Sequence, residues 1–250
     1  MRIVAIIPVR FGSSRFPGKP LALISGRPMV EHVYRKTAAC GELSEVVAAT
    51  DDERIFACVK GFDGKAVMTL SSHASGTDRI AEAAEILGLD DKDIVVNVQG
   101  DQPLVPPEAL AKMILPLLRD ESLPMCTLMI RIRDPRETTN PNHVKVVTDA
   151  RGLALYFSRH PIPFYRDAGK DDHVHFKHLG LYAYRAAFLR TFTRLPQGRL
   201  EIAEKLEQLR ALEHGYSIRV VETAHDSPEV DTPEDVDIIE SIMTGTRSHG

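Results

Sequence analysis

The sequence predicts an α/β fold with a mostly parallel central sheet flanked by helices. Short β-branched runs alternate with longer amphipathic stretches along the chain, which is typical of successive strand–helix units. Residues 94–99 are almost wholly apolar, as expected for a central parallel strand that is covered on both faces. No internal repeat, low-complexity tract or long linker interrupts this pattern, so residues 1–250 are expected to form a single domain.

The first half of the chain predicts four strand–helix units in order. Pro28 suits the first turn of the first helix, and the acidic segment from Asp51 opens the second. The predicted strands here are residues 3–9, 45–49, 66–69 and 94–99. The predicted helices are residues 28–39, a segment from residue 51, 78–87 and 107–119.

The second half is richer in strand-like runs. Residues 200–214 form an amphipathic helical pattern that Gly215 closes, and Thr232 with Pro233 begins the final helix. Residues 160–176, which contain Pro161, Pro163 and Gly169, are expected to form a surface excursion. The predicted strands here are residues 125–132, 144–148, 153–157, 178–184 and 217–222.

Composition excludes several classes of protein. The formal net charge is −4 and no basic stripe is visible, which argues against a nucleic-acid binder. Cys40, Cys58 and Cys126 are scattered and form no C-x-x-C pair, so neither a disulfide framework nor a zinc site is expected. The first apolar run is too short for a membrane span or a signal peptide. We therefore expect a cytoplasmic protein without membrane insertion.

A glycine-rich basic segment, residues 10–20, directly follows the first predicted strand. In open α/β sheets, ligands bind beyond the carboxyl ends of the strands. Five residues separate Gly12 from Gly18 and Pro20 follows the lysine, so the segment is not a Walker loop, and no dinucleotide fingerprint occurs. A basic surface loop with turn glycines remains the alternative. The side chains that suit a triphosphate are Arg10, Ser13, Ser14, Arg15 and Lys19.

Two aspartates are candidate metal ligands. Asp101 follows the strand at residues 94–99, at the same sheet edge as the basic loop, and Asp231 precedes the helix cap at Thr232. A turn or helix-cap role is the alternative for Asp101. If the fold brings the two carboxylates to about 4 Å, they repel by roughly 4 kcal/mol at an effective dielectric of 20. A bound cation would remove that cost, so the sequence predicts a shared metal site.

Nine motifs in order along the chain resemble the 3-deoxy-manno-octulosonate (Kdo) cytidylyltransferases, which make a CMP-sugar. Together they span nearly the whole sequence, and their co-occurrence is far more specific than any single motif. The motifs are I-I-P-V-R-F-G-S-S-R-F-P-G-K-P-L at 6–21, A-T-D-D at 49–52, S-G-T-D-R at 75–79, V-N-V-Q-G-D at 96–101, N-H-V-K-V-V at 142–147, Y-F-S-R at 156–159, K-H-L-G-L-Y-A-Y at 177–184, L-E-Q-L-R at 206–210 and V-D-T-P-E-D at 230–235.

The resemblance implies a Rossmann-like, nucleotide-diphospho-sugar transferase-like fold and a homodimer, with a β-rich segment at about residues 150–190 in the subunit contact. It implies transfer of CMP from CTP to Kdo, an acidic eight-carbon sugar, with release of pyrophosphate for lipopolysaccharide synthesis. It assigns the triphosphate to Arg10, Ser13, Arg15 and Lys19, with Arg15 and Lys19 also catalytic. It assigns the cytidine to Ser75, Thr77 and Arg79, catalytic Mg²⁺ to Asp101 and Asp231, and the sugar to Gln99, Arg159, His178, Tyr182, Glu207 and Gln208.

The residues alone leave plainer alternatives open for the sugar site. Arg159 can be an ordinary loop arginine, although a guanidinium suits a substrate carboxylate. His178 and Tyr182 lie four residues apart on a predicted strand and so share a face, which also fits a half-buried core edge. Glu207 and Gln208 can be solvated positions of the helix predicted at residues 200–214.

One departure from the resembled family concerns the acceptor. The usual family sequence after the metal strand is Gly-Asp-Glu-Pro, whereas this chain has Gln102 in place of the glutamate. Residues 195–201 and 226–231 also resemble a branch that acts on 8-amino-3,8-dideoxy-manno-octulosonate. Kdo is the first expected acceptor and the 8-amino sugar the rival. Another acceptor, such as a sialic acid or a polyol phosphate, and a non-catalytic nucleotide-sensing module are the remaining alternatives.

Overall fold

Strands and helices alternate through residues 1–12, 15–167 and 173–245, which are the residues described in the computed structural model. The strands are β1 (Ile3–Val9), β2 (Leu23–Ile24), β3 (Arg27–Pro28), β4 (Glu45–Thr50), β5 (Lys65–Met68), β6 (Ile94–Asn97), β7 (Met125–Arg131), β8 (Lys145–Thr148), β9 (Ala154–Ser158), β10 (Phe176–Arg185) and β11 (Ile218–Glu222). The helices are α1 (Met29–Ala38), α2 (Glu53–Gly61), α3 (Gly76–Ile86), α4 (Pro107–Arg119), α5 (Pro135–Thr139), α6 (Ala186–Phe192), α7 (Arg199–Glu204), α8 (Leu209–Glu213) and α9 (Pro233–Met243).

The main sheet has the strand order β11-β7-β10-β6-β1-β4-β5. Parallel pairing joins β1 to β4 and β6, β4 to β5, and β11 to β7, whereas β10 runs antiparallel to both β6 and β7. The mostly parallel sheet predicted from the sequence is therefore confirmed. Strand β8 branches from β10 and pairs with β9, so this part of the chain extends the sheet to one side. The carboxyl ends of β1 and β6 lie next to each other, and this edge carries the candidate site.

The core lies on both faces of the sheet. Alternate residues of β1 enter different apolar clusters: Ile7 packs in the cluster that contains α1 and α4, and Ile6 in the cluster that contains α3 and α6. Both side chains are fully buried. Two-sided burial explains why β1 and β6 read as continuous apolar runs in the sequence.

The helix predicted over residues 200–214 is wrong as a single element. Helix α7 ends at Glu204, Lys205 adopts a left-handed conformation with φ 55°, and α8 begins at Leu209. The break turns Leu206 into the apolar cluster beneath the sheet, where it is buried. In a continuous helix the direction of the Leu206 side chain would be set by the helical repeat. The left-handed Lys205 ends the helix and lets Leu206 reach the apolar cluster.

No helix among the described residues is both long and apolar enough to cross a membrane.

Candidate active site

A cleft of about 360 Å³ lies at the carboxyl edge of β1 and β6. Its walls come from the loop after β1, the start of α3, the end of β6 and the segment before α9. The residues that sequence analysis had singled out and that line this cleft are Arg10, Arg15, Lys19, Ser75, Arg79, Gln99, Asp101 and Asp231. The basic loop, the predicted cytidine segment and both predicted metal carboxylates therefore meet at one place.

A backbone hydrogen bond between Gly18 and Phe11 closes the basic loop. The Gly18 amide donates to the Phe11 carbonyl at 3.0 Å. Gly18 has a left-handed φ of 76°, and an added Cβ would lie 3.1 Å from the Phe11 ring, so this position requires glycine. The Arg54 guanidinium carbon lies 3.4 Å from the centroid of the same ring. The loop thus holds Lys19 toward the cleft; Ser13, another predicted phosphate ligand, lies outside the described residues.

Asp101 and Asp231 are brought together by Lys19. Its Nζ donates to Asp101 Oδ2 at 2.7 Å and to the Val230 carbonyl at 2.8 Å, and it lies 3.6 Å from Asp231 Oδ1. The Val230 amide in turn donates to the Asp101 carbonyl at 2.9 Å. Arg15 Nη2 is 3.1 Å from Asp231 Oδ1. The two predicted metal carboxylates therefore share Lys19 as a cationic partner in one cleft.

A glycine permits this close approach. Gly100 directly precedes Asp101, and a Cβ at this position would lie 2.4 Å from a Val9 side-chain carbon and 3.0 Å from the Pro8 carbonyl. Backbone packing between the ends of β1 and β6 therefore needs glycine at residue 100. Because residue 100 has no side chain, Asp101 can lie against the basic loop.

The predicted cytidine residues divide into two groups at the start of α3. Ser75 caps the helix by accepting from the Asp78 amide at 3.1 Å, and Arg79 is held by Thr69 Oγ1 at 2.5 Å and by Asp51 at 3.0 Å. Ser75 and Arg79 line the cleft. Thr77 is buried and turned away from the cleft-lining set, because its hydroxyl donates to Glu207 Oε2 at 2.5 Å.

His178 and Tyr182 lie side by side on β10, with ring centroids 5.4 Å apart. The register of β10 against β7 shifts between Leu179 and Tyr182 by two extra residues, which preserves the shared face predicted from their spacing. Thr127 Oγ1 lies 2.9 Å from His178 Nε2. Burial lowers the pKa of His178 to about 3, so the imidazole is neutral. Burial, reinforced by the charge of Glu207, raises the pKa of Tyr182.

Arg159 contacts the turn between α7 and α8, in which Glu207 lies. The Arg159 guanidinium donates to the Glu204 carbonyl at 2.7 Å and to the Pro141 carbonyl at 2.8 Å. Glu207 and Gln208 lie in this turn and not within a helix as predicted; Gln208 is buried, and burial raises the pKa of Glu207. The helical placement of both residues is therefore wrong, and Gln208 is not a solvated position.

Gln99 lines the cleft and also contacts strand β10. Its side-chain amide donates to the carbonyl of Gly180, two residues before Tyr182, at 3.3 Å. Gln99 thus contacts β10, the strand that carries His178 and Tyr182, and Thr77 contacts Glu207 in the turn that holds Arg159. Arg159, His178, Tyr182, Glu207 and Gln208 are not in the lining of the cleft itself.

Sequence reasoning missed two side chains near the cleft. His73 lines it, and its ring Nε2 contacts the Glu82 carboxylate. Glu229 accepts from Gln102 Nε2 at 3.1 Å. A signal for Glu229 was present, since it lies two residues before Asp231, but its partner is distant in sequence.

This fold and cleft define a nucleotide-binding α/β domain, and comparison with known proteins gives the family. The profile described as cytidylyltransferase matches residues 4–223, so the chain belongs to the cytidylyltransferase family. A 3-deoxy-manno-octulosonate cytidylyltransferase of Syntrophus aciditrophicus is 57% identical over 246 residues, which cover 98% of each chain. An 8-amino-3,8-dideoxy-manno-octulosonate cytidylyltransferase of Shewanella halifaxensis is 53% identical over 244 residues, 97% of this chain and 99% of the relative.

Solved structures agree with this assignment. A structure of CMP:2-keto-3-deoxy-manno-octonic acid synthetase complexed with CTP is 41% identical, with a TM-score of 0.93, and the match covers 99% of this chain and 100% of that one. A more distant similarity, to 4-diphosphocytidyl-2C-methyl-D-erythritol synthase from Anaerococcus prevotii, has a TM-score of 0.62 at 15% identity and shows the shared fold alone.

Proposed function

We propose that this chain transfers CMP from CTP to the anomeric hydroxyl of Kdo, with release of pyrophosphate, as a step of lipopolysaccharide synthesis. The observation that carries the proposal is the meeting of Asp101 and Asp231 around Lys19 in a cleft lined by the basic loop. The name and full-length similarity of the Syntrophus relative support the same acceptor. CTP is a cytoplasmic nucleotide, so a cytoplasmic location follows from the proposal.

The nucleotide side of the cleft carries several positive charges, although the whole chain has a formal net charge of −4. Arg10, Arg15 and Lys19 would hold the triphosphate, with Ser13 as the further ligand predicted from the loop. Lys19 and Arg15 would neutralise the charge that develops on the departing pyrophosphate. Ser75 and Arg79 would recognise the cytidine. Thr77, predicted as a third cytidine residue, would act indirectly, because its hydrogen bond to Glu207 holds the start of α3 in place.

Asp101 and Asp231 would hold Mg²⁺. Two converging carboxylates fit this ion, because Mg²⁺ bound to substrate phosphates commonly uses only one or two protein carboxylates. Their contacts with Lys19 and Arg15 support a site that accommodates positive charge beside both carboxylates. When bound, the ion would neutralise charge on the α-phosphate and lower the pKa of the attacking hydroxyl.

The acceptor side would orient the sugar for in-line attack on the α-phosphorus. Arg159 suits the sugar carboxylate because a guanidinium can bind it in a bidentate manner. His178 is neutral and therefore offers hydrogen bonds without charge. Much of the rate enhancement would come from positioning the two substrates. The remaining proposed sugar-binding residues are Gln99, Tyr182, Glu207 and Gln208.

We further propose a homodimer in which the β-rich segment at about residues 150–190 forms the subunit contact. Strands β8 and β9 extend beyond the main sheet, and Leu155 and Phe164 there are 62% and 88% exposed. Large exposed apolar side chains of this kind fit a partner surface. Light scattering should give twice the 27.8 kDa mass of one chain; a monomer at micromolar concentration would contradict the proposal.

The reaction is tested by pyrophosphate release from CTP and Mg²⁺ in the presence of different acceptors. Kdo should give pyrophosphate and a CMP-sugar in equal amounts, whereas N-acetylneuraminic acid and ribitol phosphate should give neither. Release with sialic acid or the polyol phosphate alone would move the chain to another acceptor. CTP binding without release for any acceptor would indicate a nucleotide-sensing module and contradict the proposal.

A further inference from the structure

Lys145 on β8 is fully buried, and backbone carbonyls surround its ammonium group. Its Nζ donates to the carbonyls of Asn140 at 3.0 Å, His143 at 2.5 Å and Arg159 at 2.5 Å. An ammonium group has three hydrogens, so these three acceptors use all of them and leave none for a substrate. Removing the charge from water costs free energy that the three contacts must offset. Lys145 therefore holds backbone segments in place and does not bind a ligand itself.

One of these segments is the backbone of Arg159, the residue proposed to bind the sugar carboxylate. Lys145 pairs with Ser158 in the register of β8 and β9, and Arg159 is the next residue along the chain. The Arg159 amide donates to Glu204 Oε2 at 2.9 Å, while the Arg159 carbonyl accepts from Lys145. The backbone of Arg159 is thus held at its amide by a carboxylate and at its carbonyl by an ammonium group.

The second segment is the loop that accepts a hydrogen bond from the Arg159 guanidinium. Arg159 Nη1 donates to the Pro141 carbonyl at 2.8 Å. Pro141 lies between Asn140 and His143, the two loop residues whose carbonyls accept from Lys145. This loop joins α5 to β8 and has no helix or strand of its own, so such contacts define its path. Lys145 therefore supports both the backbone and the guanidinium of Arg159.

The Arg159 guanidinium keeps two N–H groups for a ligand. Its Nε donates to the Glu204 carbonyl at 2.7 Å and its Nη2 to the Lys205 carbonyl at 3.4 Å, in addition to the bond from Nη1 to Pro141. A guanidinium carries five N–H groups, so these contacts with the described residues leave one on each Nη. Two such donors match the two oxygens of a carboxylate. The direction in which they point depends on carbonyls that Lys145 holds in place.

We propose that Lys145 is a positioning residue for the acceptor sugar, which directs the Arg159 guanidinium toward the sugar carboxylate without contacting the sugar. This inference rests on the proposed function and deepens the role of Arg159 in it. The contacts of Lys145 involve neither the basic loop nor the carboxylate pair of the cleft. Its loss should therefore weaken the use of the acceptor and leave the use of CTP unchanged.

The test measures KM for Kdo and KM for CTP by pyrophosphate release in Lys145→Met, which keeps an apolar stem and removes the three N–H donors. KM for Kdo should rise about tenfold, which corresponds to roughly 1.4 kcal/mol, whereas KM for CTP should stay within about twofold of the wild-type value. KM does not depend on the fraction of chains that fold, so a loss of folded protein alone would lower only the apparent kcat. If Lys145→Met yields no folded protein, Lys145→Gln replaces it and should separate the two KM values in the same way.

Arg185→Met is the matched control. The Arg185 side chain also donates to three backbone carbonyls, those of Leu117, Asp120 and Glu121. Arg185 lies at the far end of β10, where it pairs with Ile94 at the start of β6, whereas the cleft lies at the end of β6. Its substitution should leave both KM values near those of the wild-type chain. A rise in KM for Kdo equal to that in the Lys145 variant would contradict a specific role for Lys145.

A double-mutant cycle connects the effect to Arg159. Arg159→Met alone should raise KM for Kdo, and adding the Lys145 substitution should change that value by no more than about twofold, because no guanidinium remains to be positioned. Fully additive effects, an unchanged KM for Kdo in either single variant, or an equal rise in KM for CTP would overturn the inference. Failure of the proposed function looks different, because the wild-type chain would then release no pyrophosphate with Kdo.

Discussion

Lys19 is the residue on which the geometry of the cleft depends. Its ammonium contacts Asp101, Asp231 and the Val230 carbonyl, and so joins the loop after β1 to segments from the middle and the end of the chain. From the sequence, Lys19 was expected to bind the triphosphate and to act in catalysis. Its contacts show that the same side chain also compensates the charge of the carboxylate pair.

The buried His178 is expected to make the free energy of unfolding depend on pH. Burial holds the folded-state pKa at about 3, below the ordinary 6.5, so the unfolded chain binds a proton that the folded chain does not. Stability from this residue is therefore present above pH 6.5 and falls as the pH drops toward 3, by up to about 1.4 kcal/mol per pH unit. Urea unfolding between about pH 5 and 7 should show a shallower pH dependence for His178→Gln than for the wild-type chain. Equal slopes in both proteins would contradict this account.

At the scale of residues, the sequence predicted those site residues that come directly after a buried strand. Asp101 and the basic loop were placed at one sheet edge because each follows a buried strand. Glu229 and its contact with Gln102 were missed because a pairing between distant segments leaves no local pattern. The neutral side chain at residue 102 was noticed, but its partner becomes apparent only in three dimensions.

At the scale of elements, the pair α7–α8 is organised by a buried ion pair. Arg210 on α8 donates to both Glu201 carboxylate oxygens on α7, at 2.8 and 2.6 Å. Both side chains are nearly inaccessible to solvent. This contact fixes the angle between the two short helices and hence the turn that carries Glu207 and holds Arg159.

Arg210→Met should destabilise the chain by about 3–5 kcal/mol, because it leaves the Glu201 carboxylate buried without a cation. Adding Glu201→Met to the same chain should recover most of the loss, since an apolar pair of similar volume replaces the ion pair. Chemical denaturation of the two variants and the wild-type chain measures both effects. A single variant within about 1 kcal/mol of wild type would show that the ion pair does not organise this turn.

The elements themselves were largely predictable. Helix α4 spans Pro107–Arg119, the residues predicted for it, and Thr232 caps α9 as expected. The α7–α8 break was not predicted, because the apolar periodicity continues through it and Lys205 takes a left-handed conformation that usually belongs to glycine or asparagine. Helix α6 was missed because it follows β10 without an intervening loop signal.

At the scale of the whole molecule, sheet order determines which segments meet. Strand β10 enters antiparallel between β6 and β7, which brings His178 and Tyr182 beside the carboxyl end of β6. The alternation of strands and helices predicted a mostly parallel sheet, but strand order depends on long-range pairing that a single sequence does not reveal. The convergence of residues 101 and 231 is accordingly the feature of the fold that bears most directly on function.

The most direct test of that convergence is the rate of pyrophosphate release from CTP and the sugar acid in Asp101→Ala and Asp231→Ala. Asp237→Ala serves as the control, since it changes an exposed carboxylate a short way along α9. Removal of either cleft carboxylate should abolish turnover while the control retains it, because each is proposed to hold the metal that neutralises the α-phosphate. Near-normal turnover in either cleft variant would contradict the shared metal site.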